Sequence, residues 1–311
     1  MRSRATVDLT ARVGTVDLPN PVMTASGTSG HGSELGAYFD LSTLGAVVVK
    51  SLSAEPWPGN PPPRVHETDA GMLNSVGLQN PGVEAWMEQE LPALVATGAR
   101  VVASIWGSTV AGYEKAAAAL AAAPAAVVAV EVNLSCPNLE HGRHMFAAEP
   151  SATREAMEAT AGCGRPRWAK LSPNVTDIVE IAGAALTGGA DALTLVNTVK
   201  GMSIDPASHR PRLGSGGGGL SGPAIRPVAV RALYDCRQAF PLAPLVGVGG
   251  IATGEHAVEL LLAGADAVQV GTATFADPRA PARILDELRR WCRRRGVAKV
   301  ADLLGGAHGT P

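Results

Sequence analysis

The sequence predicts an α/β fold of the (β/α)8 TIM-barrel class, and three observations carry that prediction. Eight short apolar runs recur along the 311 residues, each running out into polar or glycine residues. Helix-like stretches separate them, several opening on a capping residue or an early proline and closing on glycine. The length suits one barrel with modest insertions, so residues 1–311 are expected to form a single domain.

The apolar runs fall at 21–27 (PVMTASG), 46–52 (AVVVKSL), 100–106 (RVVASIW), 129–136 (AVEVNLSC), 167–173 (RWAKLSP), 192–198 (ALTLVNT), 244–250 (PLVGVGG) and 267–273 (AVQVGTA). A continuous apolar run is how a parallel strand covered on both faces reads, whereas a solvent-facing sheet would alternate. Helices are expected at 81–98, 110–123, 150–162, 176–188, 222–239, 253–263 and 277–295. The alanine-rich stretch 116–126 is a high-propensity barrel helix ended by Pro124. The arginine cluster 289–295 lies near a helix end, where cations suit the helix dipole.

A barrel of this kind gathers its chemistry at the C-terminal ends of its strands. The fourth run is the most informative, because EVNLSCPN passes from apolar residues into Asn133, Ser135, Cys136, Pro137 and Asn138. A strand that ends in amides and a thiol points to a reaction centre. The last two runs end in Gly249, Gly250, Gly271 and Thr272, which offer close-approach backbone N–H groups where this fold commonly binds phosphate. Tight turns alone would also explain the glycines, but not their paired placement.

Lys50 and Lys170 end the second and fifth runs, and a lysine buried there is costly unless an anion meets it. A Schiff-base aldolase would use a lysine but leave Cys136 and the asparagines without a role. A flavin uses all of them, since a cation beside its pyrimidine edge stabilises the anionic reduced ring.

Composition narrows the partners. A formal charge of -2 with scattered Lys and Arg gives no basic stripe, so nucleic acid is not expected. No stretch approaches the roughly 20 apolar residues of a membrane span, and the N-terminus lacks a signal-peptide core, so a cytoplasmic protein without a membrane partner is expected. Cys136, Cys163, Cys236 and Cys292 are far apart and form no CxxC pair, which argues against disulfides, zinc or an iron–sulfur cluster. The last three read as inert packing residues. His141 and His144 have no carboxylate partner and read as solvated residues of a lid over 139–148, not as metal ligands.

Together these residues resemble class 1 dihydroorotate dehydrogenases over nearly the whole chain. The matching motifs are TASGT (24–28), VVKS (48–51), GNPPPRV (59–65), AGMLNSVGLQNPG (70–82), VNLSCPN (132–138), AKLSPNV (169–175), LVNTVKGM (195–202), GGGLSGPAIRPVA (217–229), VGVGGI (246–251) and VQVGTATF (268–275). The cysteine resembles class 1B, whereas class 2 uses serine and usually carries an N-terminal extension. The resemblance implies FMN at the barrel mouth, with phosphate at Gly222, Gly249, Gly250, Gly271 and Thr272. Ala25, Ser26, Ser51, Ser104, Asn133 and Val196 would line the flavin, with Lys50 and Lys170 at its polar edge.

It further implies dihydroorotate as substrate and orotate as product, held by Lys50, by the loop Asn74, Ser75, Val76, Gly77 and Leu78, and by Asn133, Asn138, Asn197 and Thr198. Amides suit a pyrimidine ring because each can donate and accept. Cys136 would take the C5 proton while a hydride passes from C6 to N5 of FMN. A partner subunit carrying FAD and an iron–sulfur cluster, and a homodimeric core, follow from the same resemblance.

One position departs from the family pattern: Ser104 stands where an asparagine commonly contacts the flavin, and its shorter reach leaves space beside the ring. The glycine run 214–219 lacks the lysine and serine or threonine of a nucleotide P-loop and reads as a flexible connection. Two alternatives stay open, namely an FMN barrel acting on another dihydropyrimidine and a non-catalytic flavin-binding subunit. The first lacks the iron–sulfur domains such enzymes carry, and the second does not explain a thiol kept among amides.

Overall fold

A computed structural model describes residues 6–135 and 145–309. Eight parallel strands form the barrel: β1 (Val22–Thr24), β2 (Val47–Val48), β3 (Val101–Ile105), β4 (Val127–Asn133), β5 (Arg167–Lys170), β6 (Ala192–Leu195), β7 (Leu245–Val248) and β8 (Ala267–Val270). Each pairs with its neighbour in sequence, and β8 pairs with β1. The seam between β1 and β2 closes through a Met23–Ala46 bridge and a 2.8 Å bond from Gly45 N to Val22 O. At that seam the Thr24 hydroxyl accepts from Val48 N at 2.9 Å and donates to Val48 O at 3.2 Å, so a side chain completes the ladder.

The registers set each strand one residue out of step with the next, as the barrel requires. Inward residues from alternate strands therefore stack in layers. Ala46, Ala129, Ala192 and Ala267 form one, and the larger Met23, Val102, Trp168 and Val246 form the next. An N-terminal hairpin, Ala11–Val13 with Val16–Leu18, seals the floor with Val13, Val16 and Leu18. Above lie Val48, Glu131, Thr194 and Gln269, then Ala25, Ser104, Lys170 and Val248, all buried. The core thus turns from apolar to polar on the way to the mouth.

The strands are shorter than the apolar runs because the polar ends leave the sheet to face the mouth. Helices occupy the expected intervals with trimmed ends, as at Val110–Leu120, Pro150–Ala159, Ile178–Thr187, Gly254–Leu262 and Ala280–Arg295. The helix expected at 81–98 is two, Val83–Gln89 and Leu91–Ala96, because Pro92 lacks an N–H and its ring would clash with the carbonyl four residues earlier. The helix expected from 222 begins as a 3-10 turn, Pro223–Ile225, and becomes α-helical at Arg226–Ala239. Arg293, Arg294 and Arg295 fill the last turn of the final long helix, and Arg295 lies 5.7 Å from the Trp291 ring.

The glycine run corrects its reading as a flexible connection. Gly218–Ser221 is a strand of a four-stranded antiparallel sheet, between Val199–Gly201 and Gly71–Asn74, with Val65–Thr68 outermost. The glycines permit that close packing: a Cβ on Gly218 would lie 2.4 Å from Asn74 O, and one on Gly219 would lie 2.0 Å from Thr198 Oγ1. This sheet carries the 74–78 loop beside the residues that follow β6.

Candidate active site

The ends of β2, β3, β4 and β6 meet in one hydrogen-bonded network. Asn133 ends β4, and its Oδ1 accepts from Ser135 N at 3.2 Å and from Asn197 Nδ2 at 3.1 Å. Its Nδ2 donates to Ser51 Oγ at 3.3 Å, and the Ser51 and Ser104 hydroxyls pair at 2.9 Å. With two donors on the oxygen, the orientation of the Asn133 amide is determined. Ser51 thus accepts from Asn133 and shares one hydrogen bond with Ser104, in which either hydroxyl can be the donor. Tyr113, on the helix Val110–Leu120, donates to Asn133 O at 2.7 Å and packs edge-on against Phe146. The sequence reading missed Tyr113, for which a tyrosine on a barrel helix gives no signal.

One layer below, Lys170 Nζ lies 3.2 Å from Glu131 Oε1 and 3.1 Å from Ser26 Oγ. Gln269 Nε2 donates to Glu131 Oε2 at 2.6 Å. The anion that a buried lysine requires is therefore partly supplied by the protein. Glu131 and Gln269 were also missed, although a carboxylate two residues before Asn133 in an otherwise apolar strand is a visible signal. Nearby Thr194 Oγ1 and Gln269 Oε1 are buried without partners.

The predicted phosphate residues also converge. A Cβ on Gly222 would lie 3.5 Å from Thr272 Cγ2, and Thr272 Oγ1 donates to Ser221 Oγ at 2.8 Å. Gly222, Gly249 and Gly250 have φ of 93°, 137° and 71°, which favour glycine. A Cβ on Gly250 would approach Arg226 N to 2.8 Å, one on Gly249 would meet Ala229 Cβ at 2.9 Å, and Gly271 abuts Ala25. Outside the regular ladders, no hydrogen bond among the described residues uses the N–H of Gly222, Gly249, Gly250, Gly271 or Thr272. A cradle of unused N–H groups on backbone too crowded for side chains fits a phosphate. Val196 is buried beside it, with its N–H donated to Val248 O at 2.8 Å.

Lys50 and Val76 line a cavity of about 700 Å³ with His31, Trp57, Asn80 and Phe275. The 74–78 segment is braced from outside. Asn74 Nδ2 donates to Gly219 O at 3.2 Å, Asn60 Nδ2 donates to Ser75 Oγ at 2.8 Å, and Asn60 N donates to Val76 O at 3.0 Å. A Cβ on Gly77 would strike the Asn60 side chain, and Leu78 has a φ of 61°. Thr198, fixed by Asn174 Nδ2 donating to its carbonyl at 2.9 Å, connects this sheet to Asn197. Burial, reinforced by Lys50, holds the His31 imidazole below its ordinary pKa.

Cys136 and Asn138 lie outside the described residues, as do Leu139, His141, Gly142 and His144 of the expected lid. Its far end, Phe146–Ala148, is a buried turn in which Ala147 N donates to Leu134 O at 2.8 Å. Cys163, Cys236 and Cys292 are buried, and burial pushes the Cys236 thiol up to about 12, far from a reactive thiolate. Among the described residues no metal-ligating cluster occurs, and no helix is long and apolar enough to cross a membrane.

The family model for dihydroorotate dehydrogenase matches residues 8–291. The chain is 50% identical over 294 residues to dihydroorotate dehydrogenase B (NAD(+)), catalytic subunit, of Desulforudis audaxviator, covering 94% of this chain and 95% of that protein. It is 46% identical over 299 residues to the protein of the same name in Geobacter metallireducens, covering 96% and 97%. It is 49% identical over 291 residues to the putative dihydroorotate dehydrogenase A (fumarate) of Solibacter usitatus, covering 93% and 95%. With an eight-stranded barrel, amides gathered at the strand exits and a match of this extent, the chain belongs to the dihydroorotate dehydrogenase family, flavin-dependent oxidoreductases that oxidise dihydroorotate in pyrimidine biosynthesis.

Proposed function

We propose that this chain is the FMN-binding catalytic subunit of a class 1B dihydroorotate dehydrogenase, with residues 1–311 as one domain. The observation that carries the reading is the fixed amide pair, Asn133 and Asn197, at the mouth, three residues before Cys136 in the case of Asn133. In this reading the cradle of Gly222, Gly249, Gly250, Gly271 and Thr272 holds the FMN phosphate. Ala25, Ser26, Ser51, Ser104, Asn133 and Val196 border its ring. When bound, FMN supplies the acceptor, N5, for the hydride leaving C6 of dihydroorotate.

The remaining chemistry belongs to the chain. Lys50 and the 74–78 loop grip the substrate carboxylate and ring from one side. Asn133, Asn138, Asn197 and Thr198 answer its N–H and C=O groups from the other. Cys136, as thiolate, takes the C5 proton. A free thiol has a pKa of about 8.5, so turnover should rise toward alkaline pH. The named relatives divide between NAD(+) and fumarate as acceptor, with most of those compared carrying the NAD(+) name. That balance favours electron transfer to NAD through a partner subunit bearing FAD and an iron–sulfur cluster, around a homodimeric core in the cytoplasm.

The test is Cys136→Ala. The variant should retain FMN but lose its reduction by dihydroorotate at neutral pH, and near-normal reduction would remove the base assignment.

A further inference from the structure

The interior of the barrel contains a feature that packing does not require. Its two lower layers are wholly apolar, yet the layer beneath the mouth holds Glu131 and Gln269, joined to Lys170 and Ser26 above. Glu131 is fully buried and the Lys170 side chain is 6% exposed. A buried ion pair of this kind is commonly no more stabilising than well-packed apolar residues of the same volume. Fold stability alone therefore gives no reason for it.

The bonding within the pair points upward. Lys170 spends one N–H on Glu131 and one on Ser26, and the third has no acceptor among the described residues. Lys170 ends β5 in the layer shared with Ala25 and Ser104, immediately below the amide network. The other oxygen of Glu131 accepts from Gln269 Nε2, and Gln269 Oε1 has no partner.

We propose that Glu131 is the counter-charge that sets how strongly Lys170 stabilises the reduced flavin, acting through Lys170 as a positioning and tuning residue. The proposal rests on the reading that FMN lies over Lys170. A lone buried ammonium would favour the negative charge that reduction places on the flavin's pyrimidine edge, and a carboxylate held 3.2 Å from it offsets much of that field. Glu131 thus keeps the flavin from becoming so strong an oxidant that it retains its electrons.

The experiment is equilibrium reduction of the bound flavin against a reference dye at mildly alkaline pH, where the reduced ring is anionic, in the parent, Glu131→Gln and Gln269→Leu chains. Glu131→Gln is nearly isosteric, and the Gln269 amide can turn so that its unpartnered oxygen accepts from the introduced amide. Its flavin should be easier to reduce, by about tenfold or more in the reduced-to-oxidised ratio. Gln269→Leu removes a hydrogen bond but keeps both charges, so it should change the ratio by about twofold at most. If Glu131→Gln does not retain flavin, Glu131→Asp, which retracts the carboxylate from Lys170, should shift the ratio in the same direction by a smaller factor.

An unchanged ratio in a flavin-loaded Glu131 variant would overturn the proposal, as would an equal shift in Gln269→Leu. A parent chain that takes up no flavin would instead overturn the reading beneath it.

Discussion

Replacing Ser51 by alanine should damage the mouth network well beyond one hydroxyl. Ser51 is 1% exposed, accepts from Asn133 Nδ2, and shares a hydrogen bond with the hydroxyl of Ser104, which is fully buried. The substitution breaks the bond to Asn133 and leaves the Ser104 hydroxyl without its side-chain partner. A buried polar group deprived of a partner costs about 1–3 kcal/mol, so a net loss of about 2 kcal/mol is expected once relaxation into the vacated space is allowed. With an unfolding entropy of about 2.1 cal/mol/K per residue, that loss lowers the Tm by about 3 °C for a chain of 311 residues. Asn133 Oδ1 stays anchored by Ser135 and Asn197, so the fold should persist while the amide loses its brace on one side. Orotate affinity should fall about tenfold, equivalent to about 1.4 kcal/mol. Ser104→Ala breaks the same hydroxyl pair, so adding it to Ser51→Ala should cost less than the sum of the single changes. Thermal unfolding and orotate titration of the four proteins measure both quantities. Strict additivity, or an unchanged Tm in Ser51→Ala, would refute the coupling of the two hydroxyls.

Two further outcomes follow from the geometry. Gly250→Ala puts a Cβ at positive φ and 2.8 Å from Arg226 N, which should cost about 1–2 kcal/mol in backbone strain alone and weaken FMN retention by more than tenfold; normal FMN stoichiometry after gel filtration would contradict the phosphate assignment. For His31, whose pKa burial lowers from 6.5, the unfolded chain binds more protons, so its contribution to stability is full above pH 6.5 and is lost as pH falls from there through the lower folded value. His31→Leu should flatten the fall in Tm on that acid side, and a slope as steep as the parent's would show that other groups carry it.

The barrel was legible because strands covered on both faces leave continuous apolar runs, as in the stretches around Val101–Ile105 and Ala267–Val270. The antiparallel sheet above it was not, since Gly218–Ser221 and Gly71–Asn74 are four-residue strands with no long apolar run and pair only through a contact distant in sequence. Candidate residues followed from strand exits, but their wiring did not. Nothing in the sequence states that Asn133 donates to Ser51, or that Tyr113 holds the Asn133 carbonyl. Glu131 was accessible in principle, because a strand places residues 131 and 133 on the same face, yet its pairing with Lys170 depends on the register of β4 against β5. The departure at Ser104 acquires a physical account from the register of β2 against β3, which sets its hydroxyl against that of Ser51.

The central claim is tested most directly by adding dihydroorotate anaerobically to the purified chain and following the long-wavelength flavin band. The account predicts a yellow protein whose band bleaches without any other subunit present, because in it the substrate grip, the proton acceptor Cys136 and the flavin cradle all belong to this one chain. A flavin-loaded protein whose band does not change with dihydroorotate would contradict it.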